Sequence, residues 1–301
     1  MTDWTWLWVP ATLMAAAAQT VRNAMQRELT GPLGTVGAAQ IRFLYGLPFA
    51  FLFWLLLFGL EGGHFPQATP GFFGQLFIAS TTQIAATVLM LATMQRKGFA
   101  LSTVYIKTEP VMVALFGVLL LGETLAPWAV AAVLIATAGV MVMSWRTGNA
   151  WSETWAPALL GISAGALFAW SSVSYRAAIL ALSSGGFLLK ASTALTAGLL
   201  LQCLLILVWL LGFKRAVLLA ILRSWRASIK AGFMGALASQ CWFIGFALTS
   251  ATYVRTLGLV EVLFAQWIAI RWMRQRPRPA EYVGLALVLL GLVLLSSGFL
   301  A

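Results

Sequence analysis

The sequence predicts an all-α integral membrane protein in which ten transmembrane helices form two inverted five-helix repeats. Its 301 residues are 61% hydrophobic and only 9% charged. A soluble domain carries about a quarter charged residues, so we expect a lipid bilayer as the solvent. The two halves of the chain also keep one register, in which equivalent residues lie 152 positions apart. The matched pairs are Gly46 with Gly198, Glu109 with Glu261, Pro127 with Pro279, Gly139 with Gly291 and Ser144 with Ser296.

Ten apolar segments are long enough to cross the bilayer, because a spanning helix needs about 20 mainly apolar residues. Five of them fall in a first repeat, residues 1–150, and five in a second repeat, residues 151–301. An odd number of spans per copy predicts an inverted second copy, which is typical of secondary transporters with a site near the membrane midplane. The predicted spans are 6–27, 38–60, 71–95, 99–121, 126–145, 156–182, 185–212, 228–249, 252–273 and 279–299.

Basic residues are distributed unequally among the loops. Loops after odd-numbered spans contain Lys and Arg, whereas loops after even-numbered spans and both tails contain none. The positive-inside rule then predicts cytoplasmic odd loops and both termini outside. We expect a multi-pass protein of a bacterial-type inner membrane, present as a monomer or homodimer and in contact with the lipid bilayer.

Composition excludes several kinds of chemistry. His64 is the only histidine and Asp3 the only aspartate, so we expect no metal site, no cofactor and no histidine-based catalysis. Cys203 and Cys241 lie in apolar runs and are interpreted as packing residues. The sequence has neither a phosphate-binding loop nor a nucleophile–base pair, so an enzyme or an ATP-driven pump is not expected. Basic loops explain the net charge of +11 without a nucleic-acid partner.

Polar residues of the first span recur at spacings that place them on one helical face. The equivalent positions of the sixth span are also polar, which predicts two stripes that line a common cavity. A structural alternative stays open, in which the charged members only reach towards the membrane interface. The stripes consist of Gln19, Arg22, Asn23 and Gln26 in the first span and of Ser171, Ser174 and Tyr175 in the sixth.

Charged residues lie inside the fourth and ninth spans, where each costs about 2.5–3.5 kcal/mol on insertion scales. Lys107 and Glu109 are two residues apart and point to different sides, so they cannot neutralise each other. Pro110 predicts a kink in the fourth span. The equivalent glutamates are candidates for proton transfer or for binding a substrate ammonium, and a structural ion pair is the alternative. The site residues predicted in these spans are Lys107, Thr108, Glu109, Arg255 and Glu261.

The third and eighth spans contain further polar residues that suit a lipid-facing helix poorly. Gln83, Gln240 and Trp242 are therefore predicted to face a cavity, with helix–helix hydrogen bonds as the commoner alternative. Arg42 and Arg176 add positive charge near the ends of their spans.

Motifs in the fourth and fifth spans resemble a known family. The run Leu101–Val111 contains Glu109-Pro110 and is followed by a Leu121-Gly122-Glu123 turn and by Gly139. This pattern is similar to the EamA-type branch of the drug/metabolite transporter superfamily.

The resemblance implies ten helices around an hourglass cavity and the export of amino acids or other small metabolites without ATP. It also implies that Lys107, Thr108, Glu109 and Pro110 belong to the cavity wall. The second repeat departs from the pattern, because Glu261-Val262 replaces Glu-Pro.

Together these observations predict a secondary transporter that exports a small polar or zwitterionic metabolite, such as an amino acid, by alternating access. The substrate carboxylate would meet Arg22 or Lys107 and the ammonium a glutamate, with a proton as the candidate coupling ion. An organic anion or a phosphate ester becomes the better substrate if the arginines all face inward. A subunit of a flippase for lipid-linked substrates is a further alternative.

Overall fold

The computed structural model describes residues 4–97, 106–144, 155–271 and 278–300, and these ranges are almost entirely helical. They contain one isolated β-bridge, between Ala68 and Leu182, and no strand. The 3₁₀ turn Trp4–Leu7 precedes the first α-helix. The α-helices are α1 (Trp8–Leu44), α2 (Leu47–Leu60), α3 (Pro70–Lys97), α4 (Glu109–Leu121), α5 (Pro127–Ser144), α6 (Trp155–Leu180), α7 (Phe187–Phe213), α8 (Arg215–Arg223), α9 (Trp225–Leu248), α10 (Ala251–Leu257), α11 (Val260–Arg271) and α12 (Pro279–Leu300).

Five stretches of the described residues are long and apolar enough to cross a membrane, and they coincide with the second, third, seventh, eighth and tenth predicted spans. The helices α4 and α5 are apolar but shorter, and they fall within the fourth and fifth predicted spans. The all-helical membrane class is confirmed, while the count of ten spans and their inverted arrangement stay predictions. The five stretches are Val36–Leu60, Pro70–Thr93, Phe187–Phe213, Ser228–Leu248 and Pro279–Ser296.

A glycine interrupts the long first helix. Helix α1 has 37 residues, and within it Gly34 has a φ of +68°, a left-handed conformation that glycine adopts without steric cost. Most of the predicted span 6–27 and the start of the predicted span 38–60 thus lie in one helix, and the kink at Gly34 falls in the gap between the two spans. On either side of the kink, Gln26 Nε2 donates a hydrogen bond to the Ala38 carbonyl at 2.7 Å. This polar residue of the first stripe has a structural partner.

The chain forms two compact units, and each draws helices from both halves of the sequence. Unit 1 comprises Met1–Ile84 and Ser174–Thr249, and unit 2 comprises Ala85–Val173 and Ser250–Ala301. The predicted repeats, 1–150 and 151–301, describe sequence similarity and stay a prediction. The compact units do not follow that boundary.

In unit 1, short polar contacts join α2 to α7. The Thr196 hydroxyl donates to the Ala50 carbonyl at 3.1 Å, and Trp54 Nε1 donates to the Thr193 hydroxyl at 3.1 Å. Partly buried hydrogen bonds of this kind can hold helices together in a membrane protein. The thiols of Cys203 and Cys241, also in unit 1, are both free.

In unit 2, α5 packs against α12 through glycines. A Cβ atom on Gly139 would lie 2.7 Å from the Gly284 carbonyl oxygen, and one on Gly291 would lie 2.7 Å from the Ala136 Cβ. Small residues allow helix backbones to approach this closely in membrane proteins. Because Gly139 and Gly291 occupy equivalent positions of the predicted repeats, both helices use the same packing device.

Candidate functional site

In unit 2, two spans are broken beside their equivalent glutamates. The turn at 107–108 precedes α4, whose first residue is Glu109, and Pro110 lies in its first turn. The turn at 258–259 separates α10 from α11, whose second residue is Glu261. Both carboxylates therefore lie in the first turn of a helix, where the helix dipole favours negative charge. The proline predicted the first break, whereas the second break has no proline and was not predicted.

Crossed ion pairs join these two broken spans. Lys107 Nζ lies 2.7 Å from Glu261 Oε2, and Arg255 Nε lies 3.0 Å from Glu109 Oε1. The four side chains are only 11–13% exposed. Lys107 and Glu109 each pair with a residue of the other span and not with each other, in agreement with their two-residue spacing. Each glutamate thus has a cation beside it, as a buried carboxylate requires, and both the structural and the functional interpretation of the glutamates stay predictions.

A serine extends the ion-pair cluster onto α6. Arg255 Nε donates to the Ser172 hydroxyl at 2.9 Å, and that hydroxyl donates to the Phe168 carbonyl at 2.8 Å. The neighbouring Ser171 was the predicted residue, and it is also buried in unit 2. The polar stripe of the sixth span was the signal for this region, but the helical face inferred from it did not include Ser172.

In unit 1, the polar stripe of the first span contacts α9. Trp242 Nε1 donates to Gln19 Oε1 at 3.0 Å, which brings together two predicted site residues from opposite ends of the sequence. Arg22 Nη2 donates to Asn23 Oδ1 at 2.7 Å. These residues of the stripe therefore contact protein groups within unit 1, and the cavity that the stripe predicts stays a prediction.

The side chains of two buried arginines pack against one glycine of unit 1. Arg22 and Arg42 are 3% and 7% exposed. A Cβ atom on Gly235 would lie 3.2 Å from Arg22 Cδ and 3.6 Å from Arg42 Cγ. Such burial argues against side chains that extend to the interface, because those would expose their guanidinium groups. Among the described residues, the buried acidic side chains are Glu109 and Glu261, both in unit 2.

A buried hydrogen-bond network connects α3, α6 and α7 within unit 1. Gln202 Nε2 donates to Gln83 Oε1 at 2.7 Å and to the Tyr175 hydroxyl at 3.1 Å. The Tyr175 and Ser80 hydroxyls lie 3.2 Å apart. Gln83 and Tyr175 were predicted site residues, whereas Ser80 and Gln202 were missed. A lone glutamine in the strongly apolar seventh span was the signal that could have identified Gln202.

Two further glutamines of unit 1 are buried without a hydrogen-bond partner among the described residues. Gln40 and Gln240 are 0% and 7% exposed, and both side-chain amide atoms of each lack a partner. An unsatisfied buried group costs about 1–3 kcal/mol. Native proteins retain few such groups, so a ligand or an ordered water is the expected partner. Gln240 was predicted as a site residue, and Gln40 was not.

The predicted site residues are divided between the units. Gln19, Arg22, Asn23, Gln83, Tyr175, Gln240 and Trp242 belong to unit 1, and Lys107, Thr108, Glu109, Ser171, Arg255 and Glu261 belong to unit 2. Arg176, also in unit 1, donates to the carbonyls of Phe246 and Thr249 at the end of α9. Its charge therefore caps a helix C-terminus.

Comparison with known proteins finds a family match in the first half of the chain. Residues 6–145 match the family model of the EamA-like transporter family. The match covers the first predicted repeat with its Glu109-Pro110 and Gly122-Glu123 motifs. It confirms the predicted resemblance to the EamA-type drug/metabolite transporter superfamily for the first half of the chain. Together with the long apolar helices, the match supports a multi-pass membrane protein.

One similar solved structure, described only as "Crystal structure of protein", has a TM-score of 0.69 to this chain at 15% sequence identity, over 95% of each chain. At this identity the likeness shows the fold alone. No curated protein matches the chain.

Proposed function

We propose that this protein is a secondary transporter that exports a small metabolite with a carboxylate group, an amino acid above all, by alternating access. The observation that carries the proposal is the pair of buried arginines, Arg22 and Arg42, beside Gly235 in unit 1. A guanidinium group binds a carboxylate through parallel charge-assisted hydrogen bonds, and it keeps its charge when buried.

Buried amides in the same unit supply neutral donors and acceptors. Gln40 and Gln240 each bury an oxygen and a nitrogen that have no partner among the described residues. An amide oxygen accepts from an ammonium or a hydroxyl, and an amide nitrogen donates to a carboxylate. Unit 1 therefore offers the groups that a small zwitterion needs without using a glutamate.

The crossed ion pairs of unit 2 are the candidate coupling site. A proton on Glu109 or Glu261 would remove the carboxylate charge that faces Arg255 or Lys107. Each cation would then need a new partner, which couples protonation to rearrangement at the two helix breaks. We also propose an inner-membrane location with both termini outside the cytoplasm, from the charges of the loops.

An organic anion or a phosphate ester is the second candidate substrate. The positive charge buried in unit 1 favours such a substrate. Arg22 and Arg42 are buried there, whereas the buried glutamates among the described residues lie in unit 2. A doubly charged anion gains more from two guanidinium groups than a zwitterion does.

Thermal unfolding of the purified protein in detergent separates these candidates. A ligand that binds only the folded state at about 100 times its Kd stabilises it by about 2.7 kcal/mol. Amino acids, organic anions, phosphate esters and organic cations are compared at equal concentration. Stabilisation by amino acids supports the first proposal, and stabilisation by anions alone supports the second. Stabilisation by cations alone contradicts both. No shift from any soluble class favours a lipid-linked substrate.

Substrate flux in proteoliposomes then tests whether Arg22 binds the substrate. Loss of a hydrogen bond to a charged group costs about 1.5–3 kcal/mol, so Arg22→Gln should lower kcat/KM by about 10–100-fold. Arg278→Gln is the matched control, because this arginine is 47% exposed and should leave flux unchanged. Equal flux in both variants would contradict a role for Arg22 in substrate binding.

Glu109→Gln tests the coupling role separately. If the carboxylate carries the proton, the variant should lose uptake driven by a pH gradient but retain exchange of labelled for unlabelled substrate. Loss of both activities together would assign Glu109 to the structure of the site, not to coupling.

A further inference from the structure

The nine-residue helix α8 (Arg215–Arg223) was not predicted from the sequence, where it falls in a loop, and the proposed function makes no use of it. One of its faces packs within unit 1. Ile221 is fully buried, and its carbonyl accepts a hydrogen bond from the Tyr45 hydroxyl at 3.0 Å. A Cβ atom on Gly37 would lie 2.9 Å from Val217 Cγ1. These contacts fix the rotation of α8 about its axis.

The opposite face of α8 exposes large apolar side chains. Leu219 and Leu222 are 56% and 52% exposed, and Trp225, just after the helix, is 51% exposed. Because α8 is held by Val217 and Ile221, this face has a fixed direction and is not covered by the described residues of the protein. An exposed apolar surface of this kind marks a contact with another molecule or with a membrane.

Basic residues surround this apolar face. The segment from Gly212 to Gly232 contains no Asp or Glu. Its exposed cations are Lys214, Arg215, Arg223, Arg226 and Lys230. A short helix that combines exposed leucines and a tryptophan with several cations is typical of helices that lie in the membrane interface.

The neighbouring spans place α8 at a membrane surface. Phe187–Phe213 and Ser228–Leu248 are both long and apolar enough to cross. A nine-residue helix is about 14 Å long, which is too short for a hydrocarbon core of about 30 Å. The aromatic pair Trp209 and Phe213 at the end of α7 has ring centroids 6.1 Å apart, as expected of residues at the interface.

We infer that α8 lies in the membrane interface, with Leu219, Leu222 and Trp225 at the level of the acyl chains and its basic residues bound to anionic phospholipid headgroups. Long basic side chains can reach phosphates while their stems stay against apolar surface. The Arg226 guanidinium carbon lies 5.5 Å from the centre of the Trp225 ring, which keeps a cation beside the interfacial tryptophan. Each basic side chain near an anionic membrane surface favours binding of its segment to that surface about fivefold.

Site-directed spin labelling of the full chain tests this inference. Leu219→Cys is introduced into a Cys203→Ala/Cys241→Ala background, labelled, and reconstituted into phosphatidylcholine with or without phosphatidylglycerol. Accessibility to oxygen, which dissolves in lipid, is compared with accessibility to a water-soluble nickel chelate. The expected result is a lipid-like ratio that rises with phosphatidylglycerol and falls with added salt. A label at His64, in the exposed loop that follows α2, should stay water-like in every membrane.

Neutralising the basic residues separates burial of the apolar face in lipid from binding of the cations to anionic headgroups. Arg215→Gln/Arg223→Gln/Arg226→Gln should abolish the response of the Leu219 label to phosphatidylglycerol, whereas Arg278→Gln should preserve it. Unchanged thermal unfolding of both variants in detergent shows that the fold is intact. A water-like label in both lipids, or a response to phosphatidylglycerol that survives the triple substitution, would overturn the inference.

Discussion

Unit 1 and unit 2 bury charged side chains in opposite ways. In unit 2, each buried glutamate lies within 3.0 Å of a cation from the other broken span, so positive and negative charge balance inside the protein. In unit 1, the buried charged residues among those described are Arg22 and Arg42. Each charge of such a pair compensates the desolvation of the other. A buried guanidinium group can also bind a ligand carboxylate, which is the role that we propose for Arg22 and Arg42. The comparison thus contrasts a cluster of ion pairs in unit 2 with the binding surface that we propose in unit 1.

The largest expected effect comes from breaking one crossed pair in unit 2. Glu261→Ala leaves Lys107 without its carboxylate, and removal of one partner from a buried pair costs about 3–5 kcal/mol. Unfolding in detergent measures this loss. The charge swap Lys107→Glu/Glu261→Lys should restore much of the stability, because a negative and a positive side chain still face each other at these two positions. If the swap is no more stable than the single variant, the cluster does not stabilise the fold in this way.

In unit 1, two substitutions by leucine should change the free energy of unfolding in opposite directions. Gln40→Leu removes amide atoms that have no partner among the described residues, so it should stabilise the ligand-free protein by about 1–3 kcal/mol. Gln202→Leu removes the donor to Gln83 and Tyr175 and should destabilise it by a similar amount. Unfolding without substrate measures both. The ligand-binding interpretation also requires that Gln40→Leu lose substrate-induced stabilisation, and destabilisation by this variant would contradict it.

An effect smaller than that of Glu261→Ala is expected at the glycine seam of unit 2. Gly284→Ala would place a Cβ against the Met143 side chain and the Gly139 carbonyl, and overpacking of this kind costs about 1–3 kcal/mol. The matched control is Gly74→Ala in α3, where no atom lies within 4 Å of the added Cβ. The control should be neutral or stabilise by about 0.5–1 kcal/mol. Equal thermal stability of the two variants would show that close helix contact does not hold unit 2 together.

The smallest effect is expected at the partly exposed ion pair of unit 2. Arg278 Nε lies 3.0 Å from Glu281 Oε1, and the arginine and glutamate side chains are 47% and 17% exposed. Exposed pairs contribute about 0.2–1 kcal/mol, so Glu281→Gln should lower stability by no more than that. The difference should shrink in high salt because of screening. A loss as large as that of Glu261→Ala would remove the distinction between buried and exposed pairs.

Local sequence patterns predicted the helices of the fold more completely than the contacts between them. Long apolar runs predicted the spanning helices, and the gap between the predicted spans 6–27 and 38–60 contains the kink at Gly34. The spacing of Lys107 and Glu109 excluded a pair between them. Each of these inferences depends on residues close together in the chain, where helical geometry limits the possibilities.

Contacts between distant residues could not be predicted in this way. The pairs Lys107–Glu261 and Arg255–Glu109 join positions about half the chain apart, and a single sequence does not specify which buried cation meets which carboxylate. The division into two compact units depends on such contacts and was missed for the same reason. Helix α8 was missed because it is far shorter than a membrane span, which was the pattern sought.

The crossed ion pairs make the contact between the two broken spans bivalent. If Lys107 separates from Glu261, the pair between Arg255 and Glu109 still holds the same two segments together. The separated groups then stay at a high effective concentration, and the open pair re-forms without a new encounter. A proton or a ligand group can therefore exchange at one pair at a time while the two spans remain joined.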